Sequence, residues 1–149
     1  MRFVIQRVHN AKCEVENRIT GEIQQGFCVF IGVAQTDTEQ IADKMIKKLL
    51  GMRIFSDSDG KTNLSLHDVK GELLLISQFT LYANCRKGNR PSFTQAGDPV
   101  LATHLYEYII EHCRMEIPVV QTGIFGADMQ ISLTNDGPFT IILDSEDLV

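Results

Sequence analysis

The first third of the chain carries a hydrophobic pattern typical of β-strands. Residues 2–8, 11–16 and 27–33 are rich in Val, Ile and Phe, which are side chains enriched in strands. Asn17 and Gly26 interrupt these runs, and both residue types favour turns. The pattern therefore predicts three strands separated by turns.

The hydrophobic period then changes to that of an amphipathic helix. Apolar side chains recur at helical spacing at Ile41, Met45 and Leu49. Thr36 and Glu39 stand three positions apart, as the two partners of a capping box do. Because Gly51 follows the last apolar position, we predict a helix that is capped by Thr36 and ends at Gly51.

A second helix is predicted to begin at Asp98 and Pro99, because Asp is a preferred capping residue and Pro suits the first helical turn. Its apolar positions share one face: Leu101, Leu105, Tyr108, Ile109 and Cys113. This face should cover the core of the domain.

The other apolar segments predict further strands. Residues 53–55 form a short strand candidate, and residues 72–78 form a continuous apolar run that is typical of a buried central strand. Near the end of the chain, residues 130–133 and 139–143 predict two strands, joined by a turn at residues 134–138.

About seven strands and two long helices indicate the class of fold. The chain has 149 residues, of which 44% are hydrophobic, enough for one domain with a real core. Strands outnumber helices, so we expect a single α/β domain over residues 1–149. Its mixed or antiparallel sheet should curl toward a barrel.

Charge and cysteine content limit the partners. A net charge of −5 argues against a surface that binds nucleic acid everywhere, but it leaves room for a local basic contact. The four cysteines show neither Cys-x-x-Cys nor Cys/His metal-ligand spacing. We therefore expect reduced thiols, no metal and no cofactor. Residues 1–8 offer no signal-peptide pattern, which favours a cytoplasmic protein.

The usual catalytic signatures are missing, and the four histidines are scattered. Two segments nevertheless stand out. Residues 77–81 place polar side chains after a buried strand; they either emerge into solvent or line a pocket. Residues 135–140 form either a plain hairpin turn or a turn that points carbonyl groups into a site. The residues alone leave both pairs of alternatives open.

At these segments the chain resembles the D-aminoacyl-tRNA deacylase family. The resemblance runs along nearly the whole chain, in the family's order and spacing. Its blocks are residues 1–8, 53–55, 77–83, 85–93, 122–129 and 135–138.

The resemblance implies a homodimer with active sites at the subunit interface. Ser77, Gln78, Phe79 and Thr80 would form the catalytic pocket of one subunit. Gly137 and Pro138, joined by a cis bond, would enter the other subunit's site and screen the chirality of the substrate. Ala102, Phe125 and Met129 would be pocket walls, and Arg7 would brace the Gly-Pro turn. Phe139 stands where the family usually has Val.

The implied reaction is hydrolysis of the ester that joins a D-amino acid to the 3′-terminal adenosine of tRNA. Glycyl-tRNA mischarged on tRNA(Ala) should pass the same screen, because glycine has no side chain to reject. Backbone N–H groups near Phe79 and Thr80 could stabilise the oxyanion, and the vicinal ribose hydroxyl could place the water. A covalent Thr80 nucleophile is the rival mechanism.

A basic loop is the candidate contact for tRNA phosphates. Arg86, Lys87 and Arg90 lie on it, and the alternative is a plain solvated loop.

Two other functions remain alternatives for the chain as a whole. One is a non-catalytic nucleic-acid-binding dimer, which the negative net charge disfavours. The other is an esterase acting on free D-amino-acid or peptide esters, which would not need RNA.

Overall fold

The computed structural model describes residues 1–148, and its first element is one long strand, β1 (Arg2–Val15). The sequence pattern predicted two strands here, which is wrong. Strand β8 (Gln130–Asp144) pairs with β1 from Arg2 to Glu14. Because of this long pairing, β1 does not end at the exposed residues His9 and Asn10. The register of the pairing shifts near them, and the strand continues.

Strand β8 is also continuous, although its sequence predicted two strands and a turn at residues 134–138. That prediction is wrong because the side chain of Asn135 pairs with its own strand. Its Oδ1 accepts from the Phe139 N–H at 2.7 Å, and its Nδ2 donates to the Phe139 carbonyl at 3.1 Å. The turn-forming residues therefore make an irregularity within a strand, opposite the register shift in β1.

The remaining strands complete a mixed sheet. They are β2 (Arg18–Ile23), β3 (Gly26–Gly32), β6 (Glu72–Ser77) and β7 (Val120–Thr122), with a separate two-stranded hairpin of β4 (Phe55–Ser56) and β5 (Thr62–Leu64). Strand β1 pairs antiparallel with β2, β3 and β8, whereas β6 pairs parallel with β3 and β7. Thr20 Oγ1 donates to the Thr122 carbonyl at 3.2 Å, bringing β2 up to β7. The predicted curl toward a barrel is confirmed, and the sheet nearly closes.

Helix α1 (Glu39–Gly51) ends at Gly51 as predicted, but it starts later than the capping box suggested. Thr38, not Thr36, is its N-cap, and its Oγ1 accepts from the Ile41 N–H at 3.3 Å. The reason lies in Asp37, which is buried. Its carboxylate accepts from the Met1 ammonium at 2.6 Å and from the Ala34 N–H at 2.7 Å. These bonds fold the preceding residues into a turn.

Helix α3 (Pro99–Arg114) begins as predicted, with Asp98 Oδ1 accepting from the N–H groups of Val100 and Leu101. Its buried face consists of Ala102, Leu105, Tyr106, Ile109, Ile110 and Cys113. The short helix α2 (Leu66–Val69) was not predicted. Helices α1 and α3 pack against each other and cover the strands, so the amino end of α3 lies near the carboxyl end of β6.

The four cysteines are all free thiols, and three of them are buried. Burial raises the pKa of the Cys28 and Cys113 thiols to about 12, so both stay protonated.

Within residues 1–148, no group of three or more His, Cys, Asp or Glu side chains is arranged to hold a metal ion. Over the same residues, no helix has the length and hydrophobicity needed to cross a membrane.

Candidate active site

Strand β6 ends at a tight turn at the edge of the sheet. Its last residue is Ser77, one residue earlier than predicted. The Gln78 N–H donates to the Ile31 carbonyl at 2.7 Å, and the chain then enters a 3₁₀ turn (Phe79–Tyr82). The polar residues that follow the buried strand are thus held in one defined conformation.

This strand end opens onto a pocket of about 680 Å³. Its walls come from β6, the first turns of α3 and the segment before β8. Six of the predicted site residues line it: Ser77, Gln78, Phe79, Ala102, Phe125 and Met129. The structure therefore brings together residues that are far apart in the sequence.

Tyr106 is a pocket residue that sequence reasoning missed. It is buried on α3, and its hydroxyl donates to the Leu75 carbonyl at 2.7 Å. Its ring packs against Phe125, with centroids 6.1 Å apart. The available signal was its spacing, because Tyr106 follows Ala102 by one helical repeat. Burial raises the pKa of the Tyr106 hydroxyl well above its usual value, so this group stays protonated.

The pocket rim is aromatic and its charge is small. The rings of Phe79 and Phe93 meet edge to face, with centroids 5.0 Å apart, and Phe79 remains 57% exposed. Among the described residues that line the pocket, Asp128 carries the one carboxylate. The site can therefore receive an apolar group and a nearby cation.

Thr80 lies beside this pocket without lining it. Its Oγ1 accepts a hydrogen bond from the Gln78 side-chain amide at 2.5 Å, and Thr80 itself is exposed. Within residues 1–148, no His, Lys, Asp or Glu side chain is hydrogen-bonded to this hydroxyl. The geometry gives it no activating base.

Gly137 and Pro138 are joined by a cis peptide bond, and both are exposed. They do not line the pocket of their own chain. Gly137 has a φ of +144°, which favours glycine, and a Cβ there would lie 2.9 Å from the Phe139 nitrogen. Arg7 donates from Nε to the Asp136 carbonyl at 3.0 Å, so it contacts this segment directly.

The basic loop begins next to the pocket rim. Asn84 and Ser92 exchange two backbone hydrogen bonds, of 2.8 and 3.0 Å, that close its base. Arg86, Lys87 and Arg90 are exposed on it, and Phe93 of the rim follows directly. The cations are therefore carried near the pocket but outside it.

The fold and the pocket define the class of protein. It is a single-domain α/β protein whose mixed sheet nearly closes, with a largely apolar pocket between the end of one strand and the start of one helix. Comparison with known proteins identifies the family. The family model for D-Tyr-tRNA(Tyr) deacylase matches residues 4–144. A D-aminoacyl-tRNA deacylase of Thermosipho melanesiensis is 49% identical over 147 residues, and one of Thermosipho africanus is 50% identical over 146. Each alignment covers 98% of both chains.

Two solved structures share the fold of this chain. One described as c-Myc DNA Unwinding Element Binding Protein superposes with a TM-score of 0.91 at 37% identity, covering 97% of this chain and 98% of its own. A probable eukaryotic D-amino acid tRNA deacylase gives a TM-score of 0.83 at 18% identity, covering 95% and 97%, and supports the fold alone. The chain belongs to the D-Tyr-tRNA(Tyr) deacylase family, and it is a hydrolase that acts on the ester bond of D-aminoacyl-tRNA.

Proposed function

We propose that the chain cleaves D-aminoacyl-tRNA in the pocket formed by Ser77–Phe79, in the cytoplasm, and that it spares the L esters. The observation that carries this proposal is a pair of free backbone donors. Phe79 and Thr80 supply the first N–H groups of the 3₁₀ turn, which have no partner inside such a turn. No other acceptor within residues 1–148 takes them.

These two N–H groups are suited to an oxyanion. Hydrolysis of an ester builds negative charge on the carbonyl oxygen, and fixed donors at that position stabilise it without reorganisation. Losing one such donor typically costs about 2.7–4 kcal/mol of transition-state stabilisation. An aminoacyl ester is already activated, so donors of this kind can support catalysis without a side-chain base.

The attacking water would be placed by the vicinal ribose hydroxyl of the substrate. This role falls to the RNA because the Thr80 hydroxyl is hydrogen-bonded to an amide and has no base beside it among residues 1–148. The Asp128 carboxylate, the one carboxylate among the described residues that line the pocket, is suited to the ammonium group of the amino acid.

Chirality would be read by Gly137 and Pro138 from a second copy of the chain in a homodimer. Both residues are exposed and lie outside their own pocket, while Arg7 and Asn135 hold the segment. Rigid backbone carbonyls placed at the Cα of the substrate would exclude an L side chain. Glycine would pass, so glycyl-tRNA mischarged on tRNA(Ala) is a second substrate.

The test begins with D-tyrosyl-tRNA and L-tyrosyl-tRNA treated side by side. We expect rapid loss of the D ester only. Equal rates for both would refute the chiral screen. Thr80→Ala and Thr80→Ser should both keep near-normal single-turnover rates. Loss of activity in Thr80→Ala with activity retained in Thr80→Ser would favour a covalent Thr80.

The oxyanion donors can be tested at Phe79. Gln78 lies outside the helical region (φ −147°, ψ 80°), and Phe79 is the first residue of the turn, which is the helical position that best accommodates proline. Phe79→Pro removes the ring and the N–H, whereas the matched control Phe79→Ala removes the ring alone. We expect the Pro variant to be slower than the Ala variant by about 10²-fold. Equal rates would rule out the donor role.

Nucleic-acid binding without catalysis is the second candidate, because the solved relative at 37% identity is described as a DNA-binding protein. It predicts tight binding of DNA with no deacylation of either ester. The net charge of −5 argues against it. An esterase acting on free amino-acid esters would be recognised by equal activity on substrates that lack the RNA.

A further inference from the structure

We propose that Arg2 is a positioning residue for the deacylation reaction. Its guanidinium fixes the end of the 3₁₀ turn whose first residues offer the free N–H groups at the pocket. The inference rests on the proposed function for the catalytic role of that turn. It assigns a task to a residue on β1, outside the lining of the pocket.

One guanidinium makes three contacts here. Nη1 donates to the Leu81 carbonyl of the turn at 2.8 Å. On the other side, Nε and Nη2 both reach Asp144 Oδ2 at 2.8 Å. The Cζ atom also lies 4.9 Å from the centre of the Tyr82 ring. Because guanidinium is planar with donors on several edges, it can hold a carboxylate and a carbonyl at once.

The strand register explains why Arg2 reaches the turn. In the sheet Arg2 stands between Gly32 of β3 and Asp144 of β8. Gly32 packs against the turn so closely that a Cβ there would lie 3.0 Å from the Leu81 Cβ. The missing side chain of Gly32 lets the turn lie against β3, and Asp144 directs the guanidinium.

The turn depends on such outside support. Its own bonds are the local i→i+3 bonds of one short 3₁₀ segment, among them Leu81 N–H to the Gln78 carbonyl at 3.3 Å and Ala83 N–H to the Thr80 carbonyl at 3.0 Å. Short 3₁₀ segments have poor hydrogen-bond geometry and little stability alone. The start of the turn is anchored to β3 by the bond from Gln78 to Ile31. Arg2 anchors its end.

Losing this anchor should affect catalysis more than binding. Oxyanion donors must be held within a fraction of an ångström of the productive geometry. Ala102, Phe125 and Met129, which form the apolar walls, have no hydrogen bond to Arg2. A loosened turn should therefore lower kcat while KM stays nearly unchanged.

The experiment compares Arg2→Ala, Arg2→Lys and Asp144→Asn with wild type. Arg18→Ala is the matched control, since Arg18 is exposed on β2 and makes no side-chain bond among the described residues. Each variant is assayed for kcat and KM on D-tyrosyl-tRNA. Hydrogen exchange of the Leu81 and Ala83 amides, with the β6 amides as reference, reports on the turn without activity.

We expect Arg2→Ala to lower kcat by about tenfold with KM within about twofold, and to speed exchange at Leu81 and Ala83 but not in β6. Arg2→Lys should recover part of kcat, Asp144→Asn should lower kcat less than Arg2→Ala, and Arg18→Ala should match wild type. Unchanged kcat or unchanged exchange in Arg2→Ala would overturn the inference. A wild-type protein that leaves D-tyrosyl-tRNA intact would instead defeat the proposed function, while the exchange result would still show whether Arg2 holds the turn.

Discussion

The guanidinium of Arg7 lies over the ring of Phe139, with its Cζ 4.5 Å from the ring centre. The same guanidinium donates to the Asp136 carbonyl at 3.0 Å and to the Ile54 carbonyl at 2.7 Å. This chain therefore adds a cation–π contact to the group that holds the Gly137–Pro138 segment.

Phe139→Val tests that contact. The variant loses part of a half-buried ring and the contact with Arg7, so the free energy of unfolding should fall by about 1–2 kcal/mol. The preference for D over L esters should persist, because the hydrogen bonds from Arg7 remain. Urea denaturation and paired deacylation assays measure both. Ile142→Val, at a position 68% exposed on β8, is the control and should change stability by less than about 0.5 kcal/mol. A lost chiral preference would mean that the ring itself shapes the screen.

Tyr106→Phe should destabilise the protein and weaken substrate binding. The substitution removes the 2.7 Å hydrogen bond to the Leu75 carbonyl, which keeps a weaker bond from the Gly123 N–H at 3.3 Å. The expected cost is therefore that of one buried hydrogen bond, about 0.5–1.5 kcal/mol. KM should rise, because without the hydroxyl bond to Leu75 the ring that lines the pocket and packs on Phe125 is held less firmly. Tyr108→Phe removes a comparable 2.7 Å bond, to Asp43, at an exposed site and serves as the control. Equal effects of the two substitutions would contradict the importance of burial.

Neutralising the basic loop should weaken tRNA binding. The triple substitution of Arg86, Lys87 and Arg90 by Gln removes three cations beside the pocket rim, so affinity and its salt dependence should both decrease, the slope of log K against log salt by about 2–3. The matched control replaces Lys44, Lys47 and Lys48 of α1 by Gln. Filter binding at several salt concentrations distinguishes the two. If the control weakens tRNA binding as much as the loop variant does, the loss of affinity reflects the overall charge of the protein and not a local contact of the loop.

The Asp144 carboxyl should make stability depend on acid pH. Burial favours its protonated form, but hydrogen bonds from the Glu146 N–H and from Arg2 outweigh burial and lower its pKa. Its contribution is therefore fully present above the unfolded pKa of about 4 and is lost as pH falls through the lower folded value. The stability difference between wild type and Asp144→Asn should shrink as pH falls below about 5 and through the lowered folded pKa of Asp144. Asp147→Asn, at an exposed position, should show no such trend.

Local patterns determined several elements directly. The end of α1 at Gly51, the cap of α3 at Asp98 and the buried run of β6 follow from residues within a few positions of each other. Propensity and capping are local effects, so a single sequence carries them. The predicted site residues came from the family resemblance, and six of them line one pocket.

The tertiary structure decided what depends on distant partners. The residues around Asn135 have turn propensity, yet pairing with β1 makes them part of one strand. Asp37 moves the start of α1 because it binds the ammonium of Met1, which lies just before β1 and 36 residues away in the sequence. Tyr106 is held in the pocket by its hydrogen bond to Leu75. Arg2 is held against the 3₁₀ turn by its bonds to Leu81 and Asp144. Local sequence sets the conformations a segment prefers, but hydrogen bonds and burial between remote segments select the one that is adopted, because each such bond forms only when the whole chain folds.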